Sequence, residues 1–224
     1  MPLRRIFVLC ILLTGALAFG WLRWRESSGR EQSNATGTPE IMKLPVNFVQ
    51  QKFDPASPPS DMPDMTPGER AECDSNFQSD AHVSGETRPT DATHATVTVT
   101  HVKITLKLNV TIWTPVGVSQ HVIEHEDGHR EISVYYYQTA DKVAERIAAT
   151  YMGKQADIAG ADLDAEAKQA LQQMASEITA EYNKELNPEP TQLLYDTITD
   201  HSRNGVVAEE AVTHALKNVS VEGY

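Results

Sequence analysis

The strongest constraint on the fold is a strict alternation of apolar and polar side chains over residues 102–112. Such a period of two over this length predicts a β-strand with one face on a core and the other in water. The lysines on its polar face favour an edge strand, because they oppose the pairing of a further strand. A change of phase between Val99 and Val102 predicts a bulge or a break near His101. The apolar positions are Val102, Ile104, Leu106, Leu108, Val110 and Ile112.

The apolar period changes to about 3.6 residues after Ser119, which predicts a long helix extending to about residue 150. Its apolar stripe comprises Ile132, Tyr136, Ala140, Val143 and Ile147. Continued backward, the stripe passes through His129 and His125, so both histidines are predicted to lie on the buried face. Further helices are predicted over residues 162–186, 191–204 and 208–217.

The first 25 residues predict export from the cytoplasm. Arg4 and Arg5 precede an apolar run over residues 6–22, a length at which signal peptides and membrane anchors overlap. A small-x-small sequence favours cleavage after Ala18, whereas the arginines that follow the run fit a retained inner-membrane anchor. The remainder of the chain is therefore expected in the periplasm or outside the cell.

The composition divides the rest of the chain into a linker and one domain. Residues 26–66 are rich in small and polar residues and proline, which predicts a flexible linker with at most a short strand within residues 43–53. A domain is predicted over residues 67–218, followed by a tail over residues 219–224. The net charge of −12 disfavours a nucleic-acid partner. With Cys73 as the domain's cysteine, neither a disulfide nor a cysteine-based zinc site is expected there.

Residues 125–129, with the sequence HEDGH, point to metal chemistry. His125 and His129 are four residues apart, so on a helix both imidazoles project from one face and can reach one zinc ion. Glu126 would lie beside the open position of that ion, where it can take a proton from zinc-bound water. This is the His-Glu-x-x-His arrangement of zinc peptidases. The alternative is the solvated face of an acidic helix.

A catalytic zinc site uses three protein ligands, and the HEDGH segment supplies two histidines. The sequence alone does not decide which residue is the third ligand. One turn before His125 lies His121, which could be that ligand or contact substrate. The other candidates are farther along the chain, where the later helices can fold back over the His125 turn. They are Glu177, Glu181, Glu185 and His201.

Two stretches resemble a bacterial family catalogued as domain of unknown function 922, described as predicted secreted zinc-dependent proteases. The first is EHEDGHREI, over residues 124–132, and the second is YDTITDH, over residues 195–201. The second resembles the family's Tyr-Asp-x-x-Thr-x-His signature. The resemblance covers roughly residues 70–204. Ser202 stands where the family has glycine, which alters the backbone that aims His201.

The resemblance adds roles to the second stretch. It implies that His201 is the third zinc ligand and that Asp196 orients a ligand imidazole. Tyr195 is either a donor to the oxyanion of a tetrahedral intermediate or a helix tyrosine packed on the core.

Patterning and resemblance together predict a zincin-like α+β fold, with a small antiparallel sheet followed by the HExxH helix and two to three covering helices. The expected function is a zinc-dependent peptidase of the cell envelope that acts on protein or peptide substrates. The alternative is a non-catalytic envelope binding or assembly protein with a structural zinc ion.

Overall fold

The computed structural model describes residues 37–65 and 69–222. The predicted signal peptide or anchor over residues 1–25 lies outside the described residues, as does the start of the predicted linker. Among the helices of the described residues, none is both long and apolar enough to cross a membrane.

A mixed five-stranded sheet is built around one long central strand, β4 (His94–Pro115). Strand β3 (Glu72–Pro89) pairs with one edge of β4 in the antiparallel direction. On the other edge, β1 (Glu40–Lys43) and β2 (Asn47–Phe53) run parallel to β4, and β5 (Gln155–Ala159) runs antiparallel to it. The prediction of a small antiparallel sheet is therefore wrong, whereas the α+β class is confirmed.

The central position of β4 corrects the prediction that it is an edge strand. Both of its backbone edges are paired along most of its length. Its lysines lie on the open face of the sheet, where the Lys103 ammonium contacts the Glu40 carboxylate of β1 at 2.7 Å. The lysines of β4 thus lie on the solvent-facing side of the sheet and do not prevent other strands from pairing with its backbone. The predicted bulge is confirmed, because the β3–β4 register shifts opposite His101.

Strands β1 and β2 both lie within the segment predicted to be a linker, which corrects that prediction for residues 40–53. Most of their side chains are exposed, so apolar composition gives little sign of them. They are held by backbone pairing with β4 and by a few anchors, such as the buried Phe53 and the ion pair of Lys43 with Asp141 at 2.6 Å. Strand β2 is the short strand expected there.

Helices cover the apolar face of the sheet. The single long helix that was predicted is two helices, α1 (Gln120–Gln138) and α2 (Ala140–Tyr151), which meet at Thr139. They are followed by α3 (Leu163–Glu185), α4 (Glu189–Thr199) and α5 (Ala208–Glu222), which runs into the predicted tail. Helices α2 and α3 pack on the sheet core, whereas α4 and α5 pack against α1 around a second apolar cluster. The HEDGH segment of α1 therefore faces α4.

Candidate metal centre

Close contact between α1 and α4 depends on Tyr195 and Gly128. The Tyr195 ring stacks on the His125 imidazole, with centroids 5.0 Å apart and an interplanar angle of 16°. Its hydroxyl donates a hydrogen bond to the His125 carbonyl oxygen at 3.0 Å. A Cβ atom at Gly128 would lie 2.2 Å from this hydroxyl oxygen, so glycine is what lets the tyrosine reach the helix. The hydroxyl proposed as an oxyanion donor is thus bonded to the backbone that carries His125.

Three ligand atoms converge between the two helices: the Nε2 atoms of His125 and His129 and an Oδ1 atom of Asp196. The two nitrogens are 3.3 Å apart, and the Asp196 oxygen lies 3.0 Å from His129 and 3.4 Å from His125. Donors bound at about 2.0–2.1 Å around a tetrahedral ion are separated by about 3.3 Å. The group is therefore positioned to bind a metal ion.

Asp196 occupies the position predicted for His201 as the third ligand, and His201 is not a member of the group. Helix α4 ends at Thr199, and the next three residues have left-handed backbone with φ of 47°, 50° and 61°. This turn leaves the His201 side chain 41% exposed at the rim, with Nδ1 3.6 Å from Asp196 Oδ1 and 3.8 Å from Glu69 Oε1. Asp196, one turn inside the helix, reaches the histidines directly.

The remaining ligand candidates are bonded elsewhere or lie on a different element. His121 donates from Nε2 to the Asn204 carbonyl oxygen at 2.8 Å, which ties the start of α1 to the loop after α4. Glu177, Glu181 and Glu185 lie on α3, which packs on β3, β5 and α2. Of these, Glu185 pairs with Arg146, and Glu177 lies 3.7 Å from Lys154.

A glutamine that the sequence did not single out contacts the second histidine. Gln192 Oε1 lies 2.6 Å from His129 Nδ1, on the side of the ring opposite the ligand group. Its amide nitrogen donates to the His129 carbonyl oxygen and to Ser133 Oγ, both at 3.0 Å. Gln192 and Asp196 are four residues apart on α4, so both face α1. This four-residue spacing is the sequence signal from which both residues could have been predicted to face the site.

Several ionisable groups lie close together in the centre, and each shifts the pKa values of its neighbours. Although burial opposes its charge, hydrogen bonding to Asp196 raises the pKa of His129 from 6.5 to about 9. Burial likewise opposes the Asp196 carboxylate, yet its hydrogen bonds to His125 and His129 hold its pKa well below the usual range. Burial lowers the pKa of His125. Asp196 is therefore anionic beside the two imidazoles at neutral pH.

Glu126 is buried beside this group, at 6% exposure. Burial raises its pKa to about 7 against the opposing charge of His129, and Asp196 and Glu69 add to the rise. Burial and the neighbouring Glu69 and Glu126 also raise the pKa of Glu72, at the start of β3, to about 8. Glu126, whose pKa lies near neutral pH, thus interacts electrostatically with His129 and Asp196 of the ligand group.

Comparison with known proteins gives no match to a family model, to a curated protein or to a solved structure. The resemblance to domain of unknown function 922 therefore stays a prediction.

Proposed function

We propose that this protein is a zinc-dependent peptidase of the cell envelope. The observation that carries the proposal is the convergence of His125, His129 and Asp196 beside the buried carboxyl of Glu126. Two imidazole nitrogens and one carboxylate oxygen form the kind of donor set that catalytic zinc sites use, with a fourth position for water or substrate. The N-terminal apolar run supports the envelope location.

Glu126 is the proposed general base. When bound, zinc would lower the pKa of a water molecule and polarise the scissile carbonyl. Glu126 is buried, and its pKa of about 7 lies near neutral pH, where a carboxyl of that pKa can both accept and return a proton. Its carboxylate would accept a proton from the attacking water and pass it to the departing amine. Tyr195 is assigned to holding His125, because its hydroxyl donates to that residue's backbone.

Strand β3 is the proposed support for an extended peptide. Within the described residues β3 pairs only with β4, so its outer backbone edge has no strand partner. It begins at Glu72, whose carboxyl interacts with Glu126, and its Ser75 is bonded to Ser133 of α1 at 2.9 Å. A peptide added to this edge would pass the metal centre while pairing through its main chain.

A second candidate is a structural zinc ion without catalysis, and the position of His201 favours it. Its Nδ1 is 3.6 Å from Asp196 Oδ1, so a modest side-chain movement would bring a fourth protein donor to the ion. Closed four-ligand sites are typical of structural zinc. In this case the protein would be an envelope binding or assembly protein.

The substitution Glu126→Gln tests the proposed base. Zinc content and hydrolysis of casein are measured for the wild type, for this variant and for Glu124→Gln, an exposed glutamate of the same helix. We expect Glu126→Gln to keep zinc while hydrolysis falls about 10²–10⁴-fold, because only proton transfer is removed. The control should keep both.

Loss of zinc from the Glu126→Gln protein would make Glu126 a ligand and overturn its role as base. A zinc-loaded wild type that hydrolyses nothing, and that loses zinc on His201→Ala, would favour the structural site.

A further inference from the structure

We infer that Gln192 is a positioning residue that fixes the metal-binding tautomer of His129. The inference deepens the metal centre on which the proposed function rests, and it concerns a side chain that is not itself a ligand. Gln192 lies on α4, one turn before Asp196, and approaches the His129 ring at Nδ1, the nitrogen that is not in the ligand group.

The orientation of the Gln192 amide follows from its other contacts. Its NH₂ group lies 3.0 Å from the His129 carbonyl oxygen, and a carbonyl oxygen can only accept a hydrogen bond. Ser133 Oγ accepts a second hydrogen bond from the same NH₂ group, at 3.0 Å. The amide oxygen must therefore be the atom that faces the imidazole. Because that oxygen is an acceptor, His129 Nδ1 must carry the hydrogen.

This hydrogen bond determines what the opposite ring nitrogen can do. In the metal-free protein the raised pKa keeps His129 charged, and its Nε2–H donates to Asp196 Oδ1. A metal ion bound here would replace that hydrogen, and because Gln192 holds the hydrogen on Nδ1, Nε2 would present its lone pair to the ion. That lone pair points into a space where Asp196 Oδ1 lies at 3.0 Å and His125 Nε2 at 3.3 Å. Once Nε2 has lost its hydrogen, the three atoms are acceptors around one point, which is the arrangement that a bound metal ion requires. Gln192 thus aims His129 at the place where the ligand group needs a positive ion.

The Gln192 side chain is held in place by a hydrogen-bond network that includes α1 and β3. Ser133, which accepts from its amide, donates to Ser75 Oγ of β3 at 2.9 Å. Helix α4, helix α1 and the edge strand are therefore joined through one side chain. The rotation of the His129 ring is set by this network, since the partner of a ligand's second nitrogen fixes ring orientation and basicity.

Two substitutions separate the acceptor function of Gln192 from its structural contacts. Both Gln192→Met and Gln192→Glu remove the bonds donated to the His129 carbonyl and to Ser133, whereas only Gln192→Met removes the acceptor for Nδ1–H. Gln173→Met, at an exposed glutamine of α3, is the matched control. Zinc affinity is measured on the full chain by competition with a chromogenic chelator. Metal-free unfolding in urea gives the stability of each variant.

We expect Gln192→Met to bind zinc about 10–100-fold more weakly than the wild type, the usual effect of losing such a partner. Gln192→Glu should bind within a few-fold of the wild type, although both variants lose metal-free stability. Equal weakening by Met and Glu, or no weakening by Met, would overturn the role assigned to Gln192. A wild type that binds no zinc would overturn the metal centre itself, and this role with it. Loss of hydrolysis alone would count only against the peptidase proposal.

Discussion

Gly128 lies under the ring of Tyr195, where a methyl group would not fit. Alanine favours a helix interior over glycine by about 1 kcal/mol, so a glycine in the middle of α1 needs a reason in packing. The reason is the approach of α4: a Cβ atom would meet the Tyr195 hydroxyl oxygen at 2.2 Å and its Cζ atom at 2.6 Å. Tyr195 is fully buried and stacked on His125, so it cannot swing aside.

We therefore expect Gly128→Ala to destabilise the protein by about 1–3 kcal/mol, the usual cost of overpacking, despite the gain in helix propensity. Zinc affinity should fall as well, because α4 carries Asp196. Urea unfolding and zinc titration measure the two effects. Gly205→Ala is the control, since a Cβ atom there meets nothing within 4 Å. A Gly128→Ala protein as stable as the wild type would contradict this account of the interface.

At the residue scale, the sequence predicted what depends on local spacing. His125 and His129 could be placed on one buried face because the helical period alone puts them there. The resemblance pointed to His201 as the third ligand and to Asp196 as a residue that orients an imidazole. The structure places Asp196 in the ligand group instead, because α4 ends at Thr199 in a left-handed turn that spacing does not reveal. Gln192 was missed because its importance lies in a contact with another helix.

The turn that follows α4 is the element that separates His201 from the ligand group. Asp200, His201 and Ser202 are non-glycine residues with successive positive φ values. Left-handed backbone costs an L-residue about 1–2 kcal/mol, and helices commonly end with a single such residue, most often glycine. Such a run of residues is held by its surroundings, here by the Asn204 amide bonded to the Ile198 carbonyl at 2.9 Å.

Ser202→Gly should make this turn more favourable. With φ of 61°, the position suits glycine, and we expect the glycine variant to be more stable than Ser202→Ala by about 1 kcal/mol. The comparison with alanine removes the hydroxyl in both proteins, so the two variants differ in the backbone term and in the burial of one Cβ atom. Urea unfolding of the two variants measures it. A glycine variant less stable than the alanine variant would show that the turn is not strained at this residue.

At the element scale, strong periodicity predicted β4 and the helices, and weak periodicity hid the other strands. The inward positions of β3 mix core-packed residues such as Phe77 and Val83 with Ser75, Ser79 and Gly85, which interrupt the apolar alternation. Strand β3 forms because its backbone pairs with β4 along its whole length. The same holds for β1 and β2, whose side chains are mostly exposed. Pairing is a tertiary property, so the order of the sheet did not follow from the sequence.

For the whole molecule, the metal centre couples stability to pH. Without metal, the folded protein holds protons on His129, Glu72 and Glu126, with pKa values of about 9, 8 and 7. All three are raised above the values of 6.5, 4.5 and 4.5 for these side chains, so the unfolded chain releases these protons at lower pH. A raised pKa gives stability that is present below the unfolded value and is lost as pH rises through the folded value.

We therefore expect the metal-free protein to lose stability between pH 7 and pH 9. Zinc should restore it, and by more at the higher pH, because metal ligands bind in their deprotonated forms. At a free zinc concentration 100 times Kd the gain is about 2.7 kcal/mol. Urea unfolding at both pH values, with chelator and with zinc, measures both trends. A metal-free protein whose stability is flat or rises over this range would contradict the proton assignment.

The most direct test of the metal centre compares zinc binding by Asp196→Ala and His201→Ala. We expect Asp196→Ala to weaken zinc binding by more than the roughly 10–100-fold typical of a supporting residue, because a direct ligand is lost. His201→Ala should bind one zinc ion with nearly unchanged affinity. Competition titration with a chromogenic chelator gives both affinities, and circular dichroism confirms that both variants are folded. Zinc lost on His201→Ala and kept on Asp196→Ala would contradict the assignment of Asp196 as the third ligand.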